Sequence, residues 1–217
     1  MLIVNQIRNI KNLEVLSYFD RNTLSQFFDL SQNSLSANVN RWLKSGILIQ
    51  FKKGFYVTSA YVQAQRKQNP YMEFIAGKLR EPSYLSLEYA LQKYSVLTES
   101  VYGFTSVTLK SKRVYQNKFG VFVYRNIKEE LFTGYTIKNM DGFMVKMATP
   151  AKALFDYFYY KLFRINEINK QMIDDFRLNY DGFSSKDLNE FSRYCLLAKT
   201  KKMRQLITFI KELEERK

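Results

Sequence analysis

Apolar positions in residues 5–45 recur every three or four residues, which is the spacing of amphipathic helices. The pattern predicts a helix within residues 5–17, a second helix capped by Asp20 or Asn22, and a third capped by Ser31. The third helix should bury one face, made of Leu35, Val39, Trp42 and Leu43. We therefore expect helix, helix, turn and helix in succession, ending at Gly46.

After Gly46 the apolar period shortens from helical spacing to every second residue, which is typical of strands. Two such strands are predicted around Lys52, Lys53 and Gly54, which make the turn between them. Their apolar positions are Ile47, Ile49, Phe51, Phe55 and Val57. Helices followed directly by a tight basic hairpin occur in this order in a winged helix-turn-helix.

The outward face of the third predicted helix is polar and basic, so it has the chemistry to contact DNA in a major groove. We expect base contacts from Asn33, Ser36, Asn40 and Arg41. Phosphate contacts are expected from Lys44, Lys52 and Lys53. The alternative is that the helices only pack a core and that the two hairpin lysines are a solvated tip.

The polar residues 60–69 are the expected joint between a head of residues 1–68 and a second domain of residues 69–217. In the second domain, segments rich in Val, Thr, Phe and Tyr predict strands at residues 101–109, 121–124 and 143–147. Thr149 with Pro150, and Ser184 with Asp187, are helix-start signals, and the tail after residue 165 should be helical. The predicted fold class is thus α+β, with a winged helix-turn-helix followed by a mixed α/β domain that contains a small antiparallel sheet.

The chain carries 34 Lys and Arg against 20 Asp and Glu, and this net charge of +14 favours anionic partners such as double-stranded DNA. The alternative is a basic protein without a nucleic-acid partner.

A single cysteine, Cys195, excludes an intramolecular disulfide, and we expect it to be a buried apolar residue. With neither a secretory signal nor a membrane-spanning run in the sequence, we expect a cytoplasmic protein.

Catalytic motifs are weak in this sequence. The chain has no histidine, which removes the most common general base and zinc ligand, and no glycine-rich phosphate loop. Residues 182–189 faintly resemble the serine–aspartate signature of nucleotidyltransferases, but Asn189 stands where a second magnesium-binding carboxylate is needed. We therefore expect no enzyme activity, no cofactor and no metal.

Five blocks of the second domain, in order, resemble the AbiEi-like antitoxins of type IV toxin–antitoxin systems, which act in bacterial abortive infection. The blocks are residues 82–91, 105–108, 122–124, 132–135 and 148–156. The last block is similar to the family's PEKALLD run, although Ala151 stands where the family often has glutamate. The resemblance covers about residues 10–165 and includes the winged head, and it is loose in the tail.

The resemblance implies a transcriptional autorepressor that binds operator DNA and also neutralises a nucleotidyltransferase-like toxin encoded next to it, without a stable complex.

Basic residues in or beside the strands are candidates for the antitoxin surface: Lys110, Lys112, Arg113, Arg125 and Lys128. They could equally be solvated strand faces. Two other functions stay open, a plain regulator whose second domain binds a ligand or dimerises, and an enzyme that acts on nucleic acid. The head is compatible with binding DNA as a dimer.

Overall fold

The computed structural model describes residues 10–214, and within this range the chain is an α+β protein. It forms two compact units, the first ending at Tyr71 and the second beginning at Met72. Of the predicted first helix, residues 10–13 are helical, and residues 5–9 lie outside the described part. Among the helices of residues 10–214, none combines the length and apolar character that crossing a membrane requires.

The first unit is a small antiparallel sheet with helices. Its elements are β1 (Phe19–Asp20), α1 (Arg21–Phe27), α2 (Gln32–Lys44), β2 (Leu48–Lys52), β3 (Phe55–Thr58) and α3 (Ser59–Gln63). Strand β3 lies between β1 and β2 and pairs antiparallel with both. The next helix, α4 (Gln68–Leu79), contains the boundary between the two units.

The predicted core face of the third helix is confirmed. Leu35, Val39 and Trp42 of α2 are buried, and the Trp42 ring lies 4.9 Å from the ring of Phe28. The N-caps also form as predicted, because an Asp20 carboxylate oxygen accepts from the backbone N–H of Thr23 and the Ser31 hydroxyl accepts from that of Ser34. Packing on one side of α2 leaves its other side to solvent.

The second unit contains a larger sheet and most of the helices. Its elements are β4 (Ser83–Leu85), α5 (Leu87–Lys93), β5 (Phe104–Thr108), β6 (Arg113–Asn117), β7 (Gly120–Asn126), a 3-10 turn (Glu129–Leu131), β8 (Tyr135–Met140), β9 (Phe143–Ala148), α6 (Pro150–Lys161), α7 (Lys170–Asp174), α8 (Ser185–Leu197) and α9 (Lys201–Glu214). The helical tail after residue 165 agrees with the prediction.

The sheet of the second unit corrects the expectation of a small antiparallel one. It has six strands in the order β6-β7-β5-β4-β9-β8, and two of its pairs, β5 with β7 and β4 with β9, are parallel. The parallel pairs arise because the chain passes through the edge strand β6 before β7 returns beside β5, and because β9 pairs with the distant β4. Such pairings depend on contacts between remote segments, which local patterns do not report.

Helix α6 forms the centre of the second unit and starts where the sequence predicts. The Thr149 hydroxyl accepts from the backbone N–H of Lys152 at 3.2 Å, and Pro150 occupies the first turn. Every residue from Ala151 to Phe158 is buried, so the helix is enclosed on all sides over this length. The predicted capping box between Ser184 and Asp187 at the start of α8 is also present.

An ion pair lies inside this core. The Lys152 ammonium contacts the Asp156 carboxylate one helical turn later, and the hydroxyls of Ser86 and Tyr84 donate to the same carboxylate at 2.7 and 3.1 Å. Burial raises the pKa of Asp156 and lowers the pKa of Lys152, while their mutual attraction and hydrogen bond oppose both shifts. The pair thus links α6 to β4 and to the residue that follows it.

Candidate nucleic-acid interface

The polar face of α2 is exposed at four of the five predicted DNA-contacting positions. Asn33, Asn40, Arg41 and Lys44 are exposed, and Ser36 is half-buried. Asn33, Ser36, Asn40 and Lys44 are spaced by three or four residues, and Arg41 follows Asn40 directly. All five therefore lie on the side of the helix opposite the buried Leu35, Val39 and Trp42. The structure therefore brings the predicted base-reading residues together on one side of one helix.

The guanidinium of Arg41 is held by a neighbour on the same helix. Its Nη1 donates to Oδ1 of Asn38 at 3.3 Å, and the Asn38 amide in turn donates to the carbonyl of Ser34 at 2.9 Å. Asn38 is buried, so the group that holds the Arg41 guanidinium is itself fixed within the fold. Arginine has five N–H donors, so this contact leaves most of the fork free to form a bidentate bond to guanine.

Ser36 differs from the exposed residues of this face because its hydroxyl is already hydrogen-bonded within the fold. It donates to the carbonyl of Gln32 at 2.7 Å and accepts from Nη2 of Arg21, which also donates to that carbonyl at 3.1 Å. Ser36 must give up or share these bonds before it can contact a base. Arg21, which the sequence analysis did not select, adds a positive charge beside the N-terminal half of α2.

The hairpin after α2 separates its two lysines. Lys53 is exposed at the turn, where Gly54 adopts the positive φ of +76° that a glycine accommodates. Lys52 is half-buried and its ammonium lies 5.6 Å from the centroid of the Phe55 ring. Lys53 is therefore the better placed of the two for a phosphate contact, and Lys44 is exposed at the end of α2.

The basic residues selected in the second unit do not form one patch. Lys112 and Arg125 line a common cleft of about 700 Å³, whereas Lys110, Arg113 and Lys128 are exposed and do not line it. Lys128 lies 4.0 Å from a carboxylate oxygen of Glu130. The five residues thus divide into a pair that faces a concavity and three that face open solvent.

Two further cations line the same cleft and were missed by the sequence analysis. Lys161 ends α6, and Arg164 follows it by three residues. The available signal was the repeat of Tyr157, Tyr160 and Arg164 along one side of an otherwise apolar run. Residues 151–158 of that run are buried, whereas Phe163 beyond it is 71% exposed.

No protein-family model and no curated protein matches this sequence.

Proposed function

We propose that this chain is a DNA-binding transcriptional autorepressor and an antitoxin that neutralises a nucleotidyltransferase-like toxin encoded beside it. The first unit would act as a winged helix-turn-helix that reads operator DNA, and the second unit would oppose the toxin. One observation carries the first half of this proposal: the exposed polar face of α2 directly precedes a lysine-tipped hairpin. Resemblance to the AbiEi-like antitoxins carries the second half.

Charge supports the DNA-binding half. Residues 1–68 contain nine Lys and Arg against three Asp and Glu, a net charge of +6. Positive charge on and around α2 attracts a phosphate backbone, and the amide side chains of Asn33 and Asn40 suit adenine. The exposed Arg41 supplies the guanine contact that is most common in such interfaces.

The burial of the PEKALLD-like run limits where an antitoxin surface could lie. Lys152 and Asp156 are completely buried, and Ala151 is buried as well. We therefore assign these residues to the stability of the fold. Any contact that opposes a toxin falls to exposed side chains, among which Lys112 and Arg125 share a cleft.

A second candidate function is a plain regulator whose second unit binds a ligand. The cleft of about 700 Å³ favours it, because this volume falls in the usual range for small-molecule sites. In that case the ligand would control DNA binding, and no toxin would be involved.

A growth assay tests the main proposal. The adjacent gene is expressed from an inducible promoter alone, with the full chain, and with a full chain carrying Asn40→Ala and Arg41→Ala, with both genes under foreign promoters. We expect the adjacent gene to arrest growth and both versions of the chain to restore it, since the head is not needed for neutralisation. A harmless neighbour, or rescue by neither version, would reject the antitoxin half.

A further inference from the structure

The cations that line the cleft of the second unit come from three separate parts of the chain. Lys112 comes from the loop between β5 and β6, Arg125 from strand β7, and Lys161 and Arg164 from the end of α6 and the residues after it. Cations that are remote in sequence therefore face the same cleft of about 700 Å³. Convergence of this kind differs from a run of lysines on one solvated strand.

Positive charge in the cleft is largely uncompensated. Four cations and one carboxylate, that of Glu88, line it, which leaves a net charge of +3. Glu88 lies 3.4 Å from the Lys161 ammonium. Within residues 10–214, Lys112, Arg125 and Arg164 form no ion pair with a carboxylate. Because a concave surface focuses the field of its charges, the cleft should attract an anion more strongly than scattered surface lysines do.

The loop that carries Lys112 is fixed in place by hydrogen bonds. The Asn126 amide donates to the carbonyls of Leu109 and Lys110 at 2.9 and 3.1 Å. Arg80 donates to the carbonyl and the hydroxyl of Ser111 at 2.9 and 2.8 Å. The loop is thus held directly before Lys112, so a ligand would lose little of its binding free energy to ordering this segment.

The wall of the cleft is anchored as well. The Tyr160 hydroxyl donates to the carbonyl of Asn126 at 2.5 Å, which ties α6 to the end of β7. Asn126 therefore bonds both to α6 and to the Lys112 loop. Through these bonds the two sides of the cleft share one residue, and their separation is fixed by the fold.

An aromatic side chain stands beside the cations. Phe163 lines the cleft and is 71% exposed, which is unusual for a phenylalanine and leaves a ring face open to a ligand. A planar base stacks on such a ring, while neighbouring guanidinium and ammonium groups hold phosphate. Inorganic phosphate would use the cations and leave the ring unused.

We infer that this cleft binds a nucleoside phosphate, with the phosphates held by Lys112, Arg125 and Arg164 and the base stacked on Phe163. The ligand is either a free nucleotide or the phosphorylated end of an RNA strand, since both present the same groups. This inference rests on the cleft alone and stands whether or not the second unit is an antitoxin.

Calorimetric titration of the full chain tests the inference, with ATP, inorganic tripolyphosphate and a short single-stranded RNA bearing either a 5′-phosphate or a 5′-hydroxyl. The cleft variant carries Lys112→Gln and Arg125→Gln. Its control carries Lys186→Gln and Arg204→Gln, which removes the same charge from two exposed residues that do not line the cleft. A second pair compares Phe163→Ala with Tyr102→Ala, since Tyr102 is 91% exposed and does not line it.

We expect the cleft variant to bind ATP about tenfold more weakly or worse, and its control to bind like the original chain. Phe163→Ala should weaken the binding of ATP and leave the binding of tripolyphosphate unchanged. Tyr102→Ala should change the affinity for neither ligand. A preference for RNA with a 5′-phosphate over both 5′-hydroxyl RNA and free ATP would identify the strand end as the source. The reverse preference would identify the free nucleotide.

Three results would count against the inference. Equal weakening of ATP binding in the cleft variant and its control would show a non-specific charge effect. Failure of the full chain to bind any of the phosphorylated probes would show that the cleft is not a phosphate site. If tripolyphosphate binds as tightly as ATP and Phe163→Ala has no effect, the nucleoside part of the inference is wrong.

Discussion

The Lys152 ammonium lies 2.5 Å from a carboxylate oxygen of Asp156, and neither side chain is exposed to solvent. Two hydroxyls, from Ser86 and Tyr84, complete the surroundings of the carboxylate. A buried ion pair contributes little net stability compared with apolar residues, but loss of one partner leaves an unpaired charge in the core. The stability of the fold should therefore be sensitive to the loss of either partner, even though the intact pair contributes little net stability.

Substitution of one partner tests this dependence. Lys152→Met removes the cation and should lower the free energy of unfolding by about 3–5 kcal/mol. Lys152→Met combined with Asp156→Asn should recover much of the loss, because the neutral amide oxygen still accepts from Ser86 and Tyr84. Urea unfolding measures both, and a double variant no more stable than the single one would contradict the explanation.

The loss in Lys152→Met should also depend on pH. Without its cation, the buried Asp156 has a folded-state pKa above its unfolded-state value, since burial raises it. The folded state then holds the proton more tightly than the unfolded state, so acidification favours folding. Destabilisation relative to the original chain should be largest at neutral pH and shrink as pH falls through the raised pKa. Equal destabilisation at neutral and acidic pH would show that the carboxylate is not the cause.

Gly134 is predicted to tolerate no side chain. Its φ is +76°, and a Cβ atom there would lie 2.2 Å from the Tyr194 hydroxyl oxygen and 3.0 Å from the Cβ of Lys152. Gly142 is the matched control, because its φ is also positive at +90° but nothing lies within 4 Å of a Cβ placed there. Gly134→Ala should cost about 1–3 kcal/mol of unfolding free energy beyond the cost of Gly142→Ala. Similar costs for the two variants would mean that Tyr194 moves aside.

Arg41 should discriminate between DNA sequences. We expect Arg41→Ala to weaken binding of the full chain to its operator by about 1–3 kcal/mol, with a much smaller effect on random duplex DNA. Fluorescence anisotropy at fixed salt concentration measures both affinities. Equal losses on the two duplexes would remove Arg41 from the base-reading set.

Lys53 should bind phosphate without regard to sequence. We expect Lys53→Ala to weaken binding to all DNA duplexes by the same factor. It should also reduce the magnitude of the slope of log affinity against log salt concentration by about one. Titrations at several salt concentrations give this slope. Lys186→Gln is the control, since Lys186 is exposed but lies in α8 of the second unit. A sequence-dependent loss for Lys53→Ala would contradict a purely electrostatic role.

Cys195 should be inert in the folded chain. It is fully buried in α8, and burial raises the pKa of its thiol well above the usual range, so little thiolate is present. A thiol reagent such as dithionitrobenzoate should titrate no cysteine in buffer and one in strong denaturant. Fast reaction of the folded chain would place Cys195 nearer the surface than the structure does.

Features that depend on neighbouring residues could be predicted from the sequence. Ser31 and Thr149 cap their helices as expected, and the apolar period of α2 identifies its buried residues. Strand β4 was missed, because its three residues are too few to show a period and its partners are Val107 and Met147, among others. Local patterns carry no information about such distant partners.

The candidate sites also differ in whether their residues are close together in the sequence or are brought together only by the fold. The polar face of α2 is continuous in sequence, and its residues were found together. The engagement of Ser36 by Arg21 depends on packing between two helices, so the sequence gives no sign of it. The cleft combines Lys112 with Arg164, and only the fold brings them together.

The two units are completed at different times during synthesis. In the second unit, Ser86 donates a hydrogen bond to Asp156, which is translated 70 residues later. All residues of the first unit have been translated once Tyr71 is added, whereas the core of the second unit lacks its central helix until Phe158 has been added. At usual translation speeds, roughly ten seconds separate these two events. On the ribosome, the surface that we propose to read DNA is therefore complete while the cleft still lacks Lys161 and Arg164.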